Sequence, residues 1–430
     1  ANAFPTTQSE VQTTWSSLYA GVYNANDFLE RISSKINTYS DTDRQLATLY
    51  IAEARALRAM FYFELVRRYG NIALMTNTEM SKQDPRTFVQ VKPEKVYEFI
   101  EDDLLYASRI LPYAQDDQYR IDNSYRFSRG AALGLLSKVY ATWAGYPVYD
   151  ESKWEEAAKT ARTLIESGKH ALLSDYEQLW KNTWNGVKTT SIAGQRGSCA
   201  GNVKVVHTFV TEWREHPQDL RCDLSVANYK YDDDKVLWTK GKNDTDYSAK
   251  EKDKDPSKGQ KEKQNYTPAK WDIEKYVTTS KLINNDKSNV NWYFLRYADV
   301  LLLYAEALNE WKHGPTDEAY EAINMVRRRG FGNPSKTSIC DLKDLNEEDF
   351  RKAVYQERAY ELAFEGHRRM DLIRWGIYYE TIQKTYNDLL NWWTAETEFN
   401  YVVYRHTVKG KHELFPIPQR DMDLMIKFNQ

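Results

Sequence analysis

The stretch that most constrains the fold is 295–330, an apolar run followed by a segment with a single apolar stripe. In the apolar run, apolar side chains such as those of 300–303 occupy almost every face of a helix, so this helix must be covered on several sides. Gly314 can take the left-handed cap conformation and Pro315 cannot continue a helix, so the chain is expected to turn back here. Thr316 can then cap a second helix, which ends in three arginines. The stretch therefore predicts a helical hairpin.

Two antiparallel helices with small facing residues resemble a tetratricopeptide unit. A second hairpin of the same kind is predicted from helices at 125–144 and 151–167. Further helices are expected at 10–36, 41–69, 93–111 and 347–366. With 430 residues, the chain exceeds what one compact core usually supports. These observations predict an all-α fold, a tetratricopeptide-like stack of helical hairpins.

The helical period disappears between residues 185 and 290, where Gly, Asn, Asp and Lys become frequent and short β-like runs such as Val203–Val210 appear. We therefore expect three parts. Residues 1–184 form the N-terminal helical part, 185–290 form a loop-rich insertion that binds the ligand, and 291–430 form further hairpins with an irregular C-terminal cap. The segment 71–92 has no periodicity and is expected to be a loop, which is the fallback location for a ligand site.

Composition and motifs exclude several classes of function. A net charge of -3 argues against a dedicated binder of nucleic acid or of an anionic membrane, and no run is apolar and long enough to span a bilayer. The three cysteines lack metal-ligand spacing, and the chain contains no HExxH pair, GxSxG elbow or phosphate-binding glycine loop. The run Asp232–Asp234 lacks EF-hand spacing and is interpreted as a solvated turn. No cofactor, metal site or catalytic residue is therefore predicted.

A charged cluster at 357–374 could be mistaken for acid/base machinery. Glu357, Glu361 and Glu365 share one helix face and would repel one another unless neighbouring arginines separate them. Paired catalytic carboxylates usually lie in a loop-lined cleft. We therefore interpret the cluster as structural ion pairs that hold the last hairpin.

Aromatic residues make up 14% of the chain, more than a helical core needs. Sugar rings present apolar C–H faces with hydroxyl rims, so a receptor for them needs exposed flat rings. Trp184, Trp213 and Trp238 lie in or beside the insertion and are the ligand candidates, although each could instead pin the insertion to the helices. Trp271 and Trp292 flank the return to the helical stack and are interpreted as structural. Four tryptophans on helical stripes are assigned to the core: Trp15, Trp154, Trp311 and Trp375.

Four stretches of this sequence, in this order, resemble the SusD/RagB family of outer-membrane lipoproteins of Bacteroidetes. They are EARALRAMFYFELVRRYGNIAL from Glu53, LRYADVLLLYAEALN from Leu295, QERAYELAFEGHRRMDLIRWG from Gln356 and ELFPIPQRDMDLMIKFNQ from Glu413. The resemblance implies a non-catalytic cell-surface protein that binds a glycan and presents it to a SusC-like TonB-dependent transporter. It also implies attachment to the outer membrane through a lipid-modified cysteine, which members carry behind a signal peptide and which this chain does not contain.

Three alternatives remain open from the sequence. A peptide-binding RagB-like receptor would be favoured by a cleft with few exposed tryptophans. A generic helical-repeat scaffold for protein interactions would be excluded by a signal peptide in the full gene. An α-helical glycoside hydrolase would need two carboxylates at glycosidase separation in an aromatic cleft.

Overall fold

A computed structural model of the chain describes residues 5–122, 125–185, 205–227, 230–231, 237–238, 267–271, 292–332, 339–392, 406–425 and 427. The helices of these residues are α1 Ser9–Lys35, α2 Asp41–Tyr69, α3 Thr78–Ser81, α4 Pro93–Ile110, α5 Gln118–Asp122, α6 Arg129–Trp143, α7 Lys153–Glu166, α8 Tyr176–Asn185, α9 His207–Arg214, α10 Arg221–Ser225, α11 Tyr297–Lys312, α12 Asp317–Gly330, α13 Glu347–Glu361, α14 Arg368–Arg374, α15 Tyr378–Trp392 and α16 Gln419–Leu424. Four two-residue strands are β1 Val226–Ala227, β2 Lys230–Tyr231, β3 Leu237–Trp238 and β4 Thr267–Pro268, and they pair antiparallel as β1 with β4 and β2 with β3.

The helices pack in chain order as a stack of hairpins. Helix α1 packs on α2, α2 on α4 and α4 on α6, and the predicted hairpins α6/α7 and α11/α12 both form. Helix α7 also packs against α11, which joins the two hairpins, and one hydrophobic core extends from α1 to α13. The predicted all-α, tetratricopeptide-like stack is thus confirmed.

The central hairpin shows why this stretch constrains the fold. In α11 every residue from Ala298 to Asn309 is buried, as its apolar faces require. The Oγ1 atom of Thr316 accepts a hydrogen bond from the backbone N–H of Ala319 at 3.2 Å and caps α12, as predicted. The left-handed residue that ends α11 is His313, with φ 54°, and not Gly314.

Two local predictions were wrong. The segment 71–92 is not purely loop, because it contains α3, a 3-10 turn at Pro85–Thr87 and a bridge between Ile72 and Val91. The described part of the run Val203–Val210 contributes to helix α9 and not to a strand. There, Val210 is 1% exposed within an apolar cluster that includes Tyr360 of α13, so tertiary packing overrides the local β-propensity.

The C-terminal segment lies over the N-terminal helices. The backbone N–H of Phe415 donates to the carbonyl oxygen of Arg68 at 2.7 Å, and that of Gln419 donates to the carbonyl oxygen of Thr6 at 2.9 Å. Met425 is buried in the main core. None of the helices in the described residues has the length and apolar character needed to cross a bilayer.

Candidate functional site

The structure places the three predicted ligand tryptophans on different elements. Trp184 lies at the end of α8, and Trp238 lies on β3, where it pairs with Lys230. The side chains of Trp184 and Trp238 fall outside the part of the chain whose side chains the structure describes, so their contact with a ligand stays a prediction.

Trp213 is not available to a ligand. Its side chain is 0% exposed, and its ring stacks on that of Tyr360 in α13 with centroids 4.6 Å apart and an interplanar angle of 10°. Its indole N–H donates to Oδ2 of Asp219 at 2.9 Å. The structure therefore corrects the prediction that Trp213 contacts a ligand: the ring pins α9 to the helical stack, which was the alternative interpretation.

A buried ion network holds the described part of 205–271 against the hairpins. Its members come from segments far apart in the chain: Asp219, Arg221, Lys270, Arg296, Arg327, Arg329, Glu357, Glu361 and Glu365. Arg221 donates from Nη1 to Glu357 at 2.6 Å and to Glu361 at 3.0 Å. A Cβ atom at position 330 would lie 2.3 Å from Nε of Arg221, so only glycine leaves room for this guanidinium.

The second half of the network surrounds Glu365. Arg296 donates from Nε to Glu365 at 2.7 Å and also pairs with Glu361. Nζ of Lys270 donates to Glu365 at 2.7 Å and to the carbonyl oxygen of Glu361 at 2.9 Å. Lys270 lies two residues after β4, and it attaches this part of the insertion to the end of α13.

The charges of the network are consistent with a structural role. Burial opposes ionisation of Glu361, but the guanidinium groups of Arg329, Arg296 and Arg221 outweigh it and hold the pKa of this carboxyl well below its usual range. Glu365 behaves in the same way beside Arg296 and Lys270, and its pKa is lowered. Burial lowers the pKa of Lys270 to about 8, against the opposing effect of Glu365. Carboxylates held ionised by three cations are poor general acids, and this supports the structural interpretation.

The sequence did not reveal Arg221 and Lys270 as network members. Both lie in the stretch without helical period, so no spacing rule connects them to Glu357 or Glu361. The available signal was electrostatic, since Glu357, Glu361 and Glu365 recur every four residues and buried carboxylates require cations beside them.

Three tryptophans in contact with one another lie next to this network. Trp180 is 0% exposed, and Nζ of Lys270 lies 4.7 Å from its ring centroid. Trp271 packs on Trp180 with centroids 5.4 Å apart and an interplanar angle of 72°. Trp292 then stacks on Trp271 nearly parallel, at 4.5 Å and 18°. The half-buried Trp271 fits its predicted structural role.

Trp292 has the contact with Trp271 that a structural role requires, but 56% of it is exposed. Among the tryptophans whose side chains the structure describes, only Trp292 is in the exposed class. Its exposure was missed because its position beside the return to the helical stack suggested a purely structural role. The signal in the sequence was that Trp271 and Trp292 frame the same polar stretch, at its two ends.

A groove of about 510 Å³ opens elsewhere, between α1 and α2. Its walls are mainly apolar and include Phe28, Leu57 and Phe61, while the two charged residues that line it, Glu53 and Arg126, pair with each other. A wall of this composition offers few partners to the hydroxyl groups of a sugar. Within the described residues, no group of three or more His, Cys, Asp or Glu side chains is arranged to hold a metal ion.

Comparisons with known proteins agree with this architecture. The sequence model described as "SusD family" matches residues 149–430, and the one described as "Starch-binding associating with outer membrane" matches residues 2–141. The SusD-like protein P25 of Formosa agariphila is 26% identical over an alignment 446 residues long, gaps included, and this alignment covers 96% of this chain and 77% of that protein.

Solved structures give the same result. A SusD homologue from Bacteroides thetaiotaomicron is 69% identical with a TM-score of 0.90, and the match covers 100% of this chain and 87% of that one. A laminarin-binding SusD-like protein is 22% identical with a TM-score of 0.65, over 97% of this chain and 84% of the other, and this likeness concerns the fold. The first family model alone spans more than half of the 430 residues. This chain belongs to the SusD family.

Proposed function

We propose that this protein is a non-catalytic glycan-binding protein of the cell surface. It captures an oligosaccharide or polysaccharide at the outer membrane and delivers it to a SusC-like TonB-dependent transporter. The observation that carries the proposal is membership of the SusD family. The second family model that matches the chain is described as starch-binding and associating with the outer membrane. A laminarin-binding protein with the same fold supports the same class of ligand.

The physical features of the chain are consistent with this function. Most helical faces are used in packing, so a ligand face is expected in the segments between 184 and 292. These segments contain the predicted ligand residues Trp184 and Trp238 and the exposed ring of Trp292. The buried ion network fixes the described part of 205–271 to the helical stack, and a region held in place before the ligand arrives loses little freedom on binding.

Glycan binding is tested by screening the purified chain on a glycan array and measuring the strongest interaction by calorimetry. Replacing Trp184 or Trp238 by Ala should weaken binding about tenfold or more for at least one of the two, because a stacked ring contributes on the order of 1–3 kcal/mol. Tyr125→Ala is the control, since this tyrosine is 81% exposed but lies outside the insertion. Normal melting and unchanged binding of both tryptophan variants would place the ligand site elsewhere.

A peptide receptor is the alternative within the same family, and a peptide library screened in parallel separates the two. Saturable peptide binding without any glycan binding would favour it. Delivery is tested by copurification of the full-length protein with a TonB-dependent barrel from detergent-solubilised outer membranes. Recovery of the protein in the cytoplasmic fraction would contradict the proposed location.

A further inference from the structure

We propose that Trp292, supported by Trp271, forms a stacking subsite for one pyranose ring of the glycan. This inference rests on the proposed function and assigns one of its contacts to a residue. The ligand class is a neutral sugar ring whose C–H bonds are axial on the face that meets the indole.

The first argument is the way in which Trp292 is held. One face of its ring lies on Trp271, with centroids 4.5 Å apart and planes 18° from parallel. One edge passes over Gly366, where a Cβ atom would lie 3.8 Å from Cζ2 of the indole. With one face covered and 56% of the residue exposed, the second face of the indole is available to solvent. A single flat apolar face is the complement of a pyranose ring.

The second argument is the rigidity of the support. Trp271 packs edge to face on the fully buried Trp180, over which Nζ of Lys270 lies at 4.7 Å. Lys270 is in turn hydrogen-bonded to Glu365 at 2.7 Å in the buried ion network. The exposed ring is thus fixed through a continuous set of contacts to the helical stack. A ring held in place before the ligand arrives loses little freedom on binding.

The third argument concerns the kind of partner. A protein interface needs a contiguous apolar patch of several hundred Å², and the residues that follow Trp292 do not provide one. Tyr293, Phe294 and Leu295 are all partly buried, and the hydroxyl of Tyr293 donates to the carbonyl oxygen of Leu179 at 3.0 Å. The exposed ring therefore fits a ligand that contacts one aromatic face, and a sugar ring does so.

The test compares wild type with Trp292→Ala, Trp292→Phe and the control Tyr149→Ala, since Tyr149 is also 56% exposed. The probes are laminarihexaose, a xyloglucan heptasaccharide and maltoheptaose, and Kd is measured by calorimetry. For the probe that wild type binds, Trp292→Ala should raise Kd at least tenfold, Trp292→Phe should raise it less, and Tyr149→Ala should change it less than twofold. Unchanged Kd for Trp292→Ala, with wild type binding normally, overturns the subsite and leaves the proposed function intact.

A second measurement does not depend on the stability of the alanine variant. Wild-type protein labelled with 5-fluorotryptophan is titrated with the same probes, and the 19F resonance of Trp292 is assigned by its absence in Trp292→Phe. A saturable shift of this resonance supports the subsite. Shifts confined to other tryptophans overturn it, and binding of none of the probes or array glycans overturns the proposed function together with it.

Discussion

Replacement of Glu361 by Gln is expected to destabilise the protein far more than the same substitution on the surface. Glu361 is 0% exposed and receives ion pairs from Arg221, Arg296 and Arg329. Gln keeps the shape of the side chain but removes the negative charge. The three buried guanidinium groups then carry positive charge that one carboxylate no longer offsets. Breaking a buried pair in this way costs about 3–5 kcal/mol.

The matched control is Glu98→Gln. Glu98 pairs with Lys95 at 2.7 Å, but the two side chains are 50% and 66% exposed, and such surface pairs contribute only about 0.2–1 kcal/mol. Urea unfolding at pH 7, followed by circular dichroism, measures the free energy of unfolding of both variants and of wild type. Equal stability of the two variants would refute the assignment of Glu361 to a buried network.

The stability difference between wild type and Glu361→Gln should also depend on pH. The pKa of Glu361 in the folded state lies well below its value of about 4.3 in an unfolded chain. Its ionised form therefore stabilises the fold above about pH 4.3, and this contribution is lost as the pH falls below that value. The difference in stability between wild type and Glu361→Gln should shrink as the pH is lowered from 7 to 3, and a constant difference would contradict the argument.

Three further outcomes are expected. Trp213→Ala should cost about 3–5 kcal/mol, because the ring is fully buried against Tyr360, and an unchanged melting temperature would contradict its structural role. Burial lowers the pKa of His367 to about 3, so this ring stays neutral in the folded protein while it gains a proton in the unfolded chain below about pH 6.5. The free energy of unfolding should therefore decrease as the pH falls from about 6.5 towards 3. His367→Gln should remove this part of the pH dependence, as measured by urea unfolding at several pH values. The purified chain should release no reducing ends from any glycan it binds, and release abolished by a carboxylate substitution would revive the hydrolase alternative.

The sequence alone determined the helical hairpins of this protein. Helix formation and capping depend on residues three or four positions apart, so the apolar faces of 297–308 and the cap at Thr316 could be predicted without a structure. The same rule grouped Glu357, Glu361 and Glu365 and predicted that arginines separate them, but the structure ends α13 at Glu361, so Glu365 lies in the turn beyond the helix. The four family stretches then pointed to the SusD family, which the comparisons confirmed.

Helical periodicity placed Trp15 in the core, but only the tertiary structure decided which tryptophans of the non-periodic segments are covered. Trp213 is buried because Tyr360 and Asp219 meet it, and Trp292 is exposed because its partner Trp271 covers a single face. Trp213 and Tyr360 are 147 residues apart in the sequence, and Trp271 and Trp292 are 21 residues apart. No local periodicity connects the members of either pair. The burial of a ring in a segment without a repeating pattern depends on what folds over it, and that is a property of the whole chain.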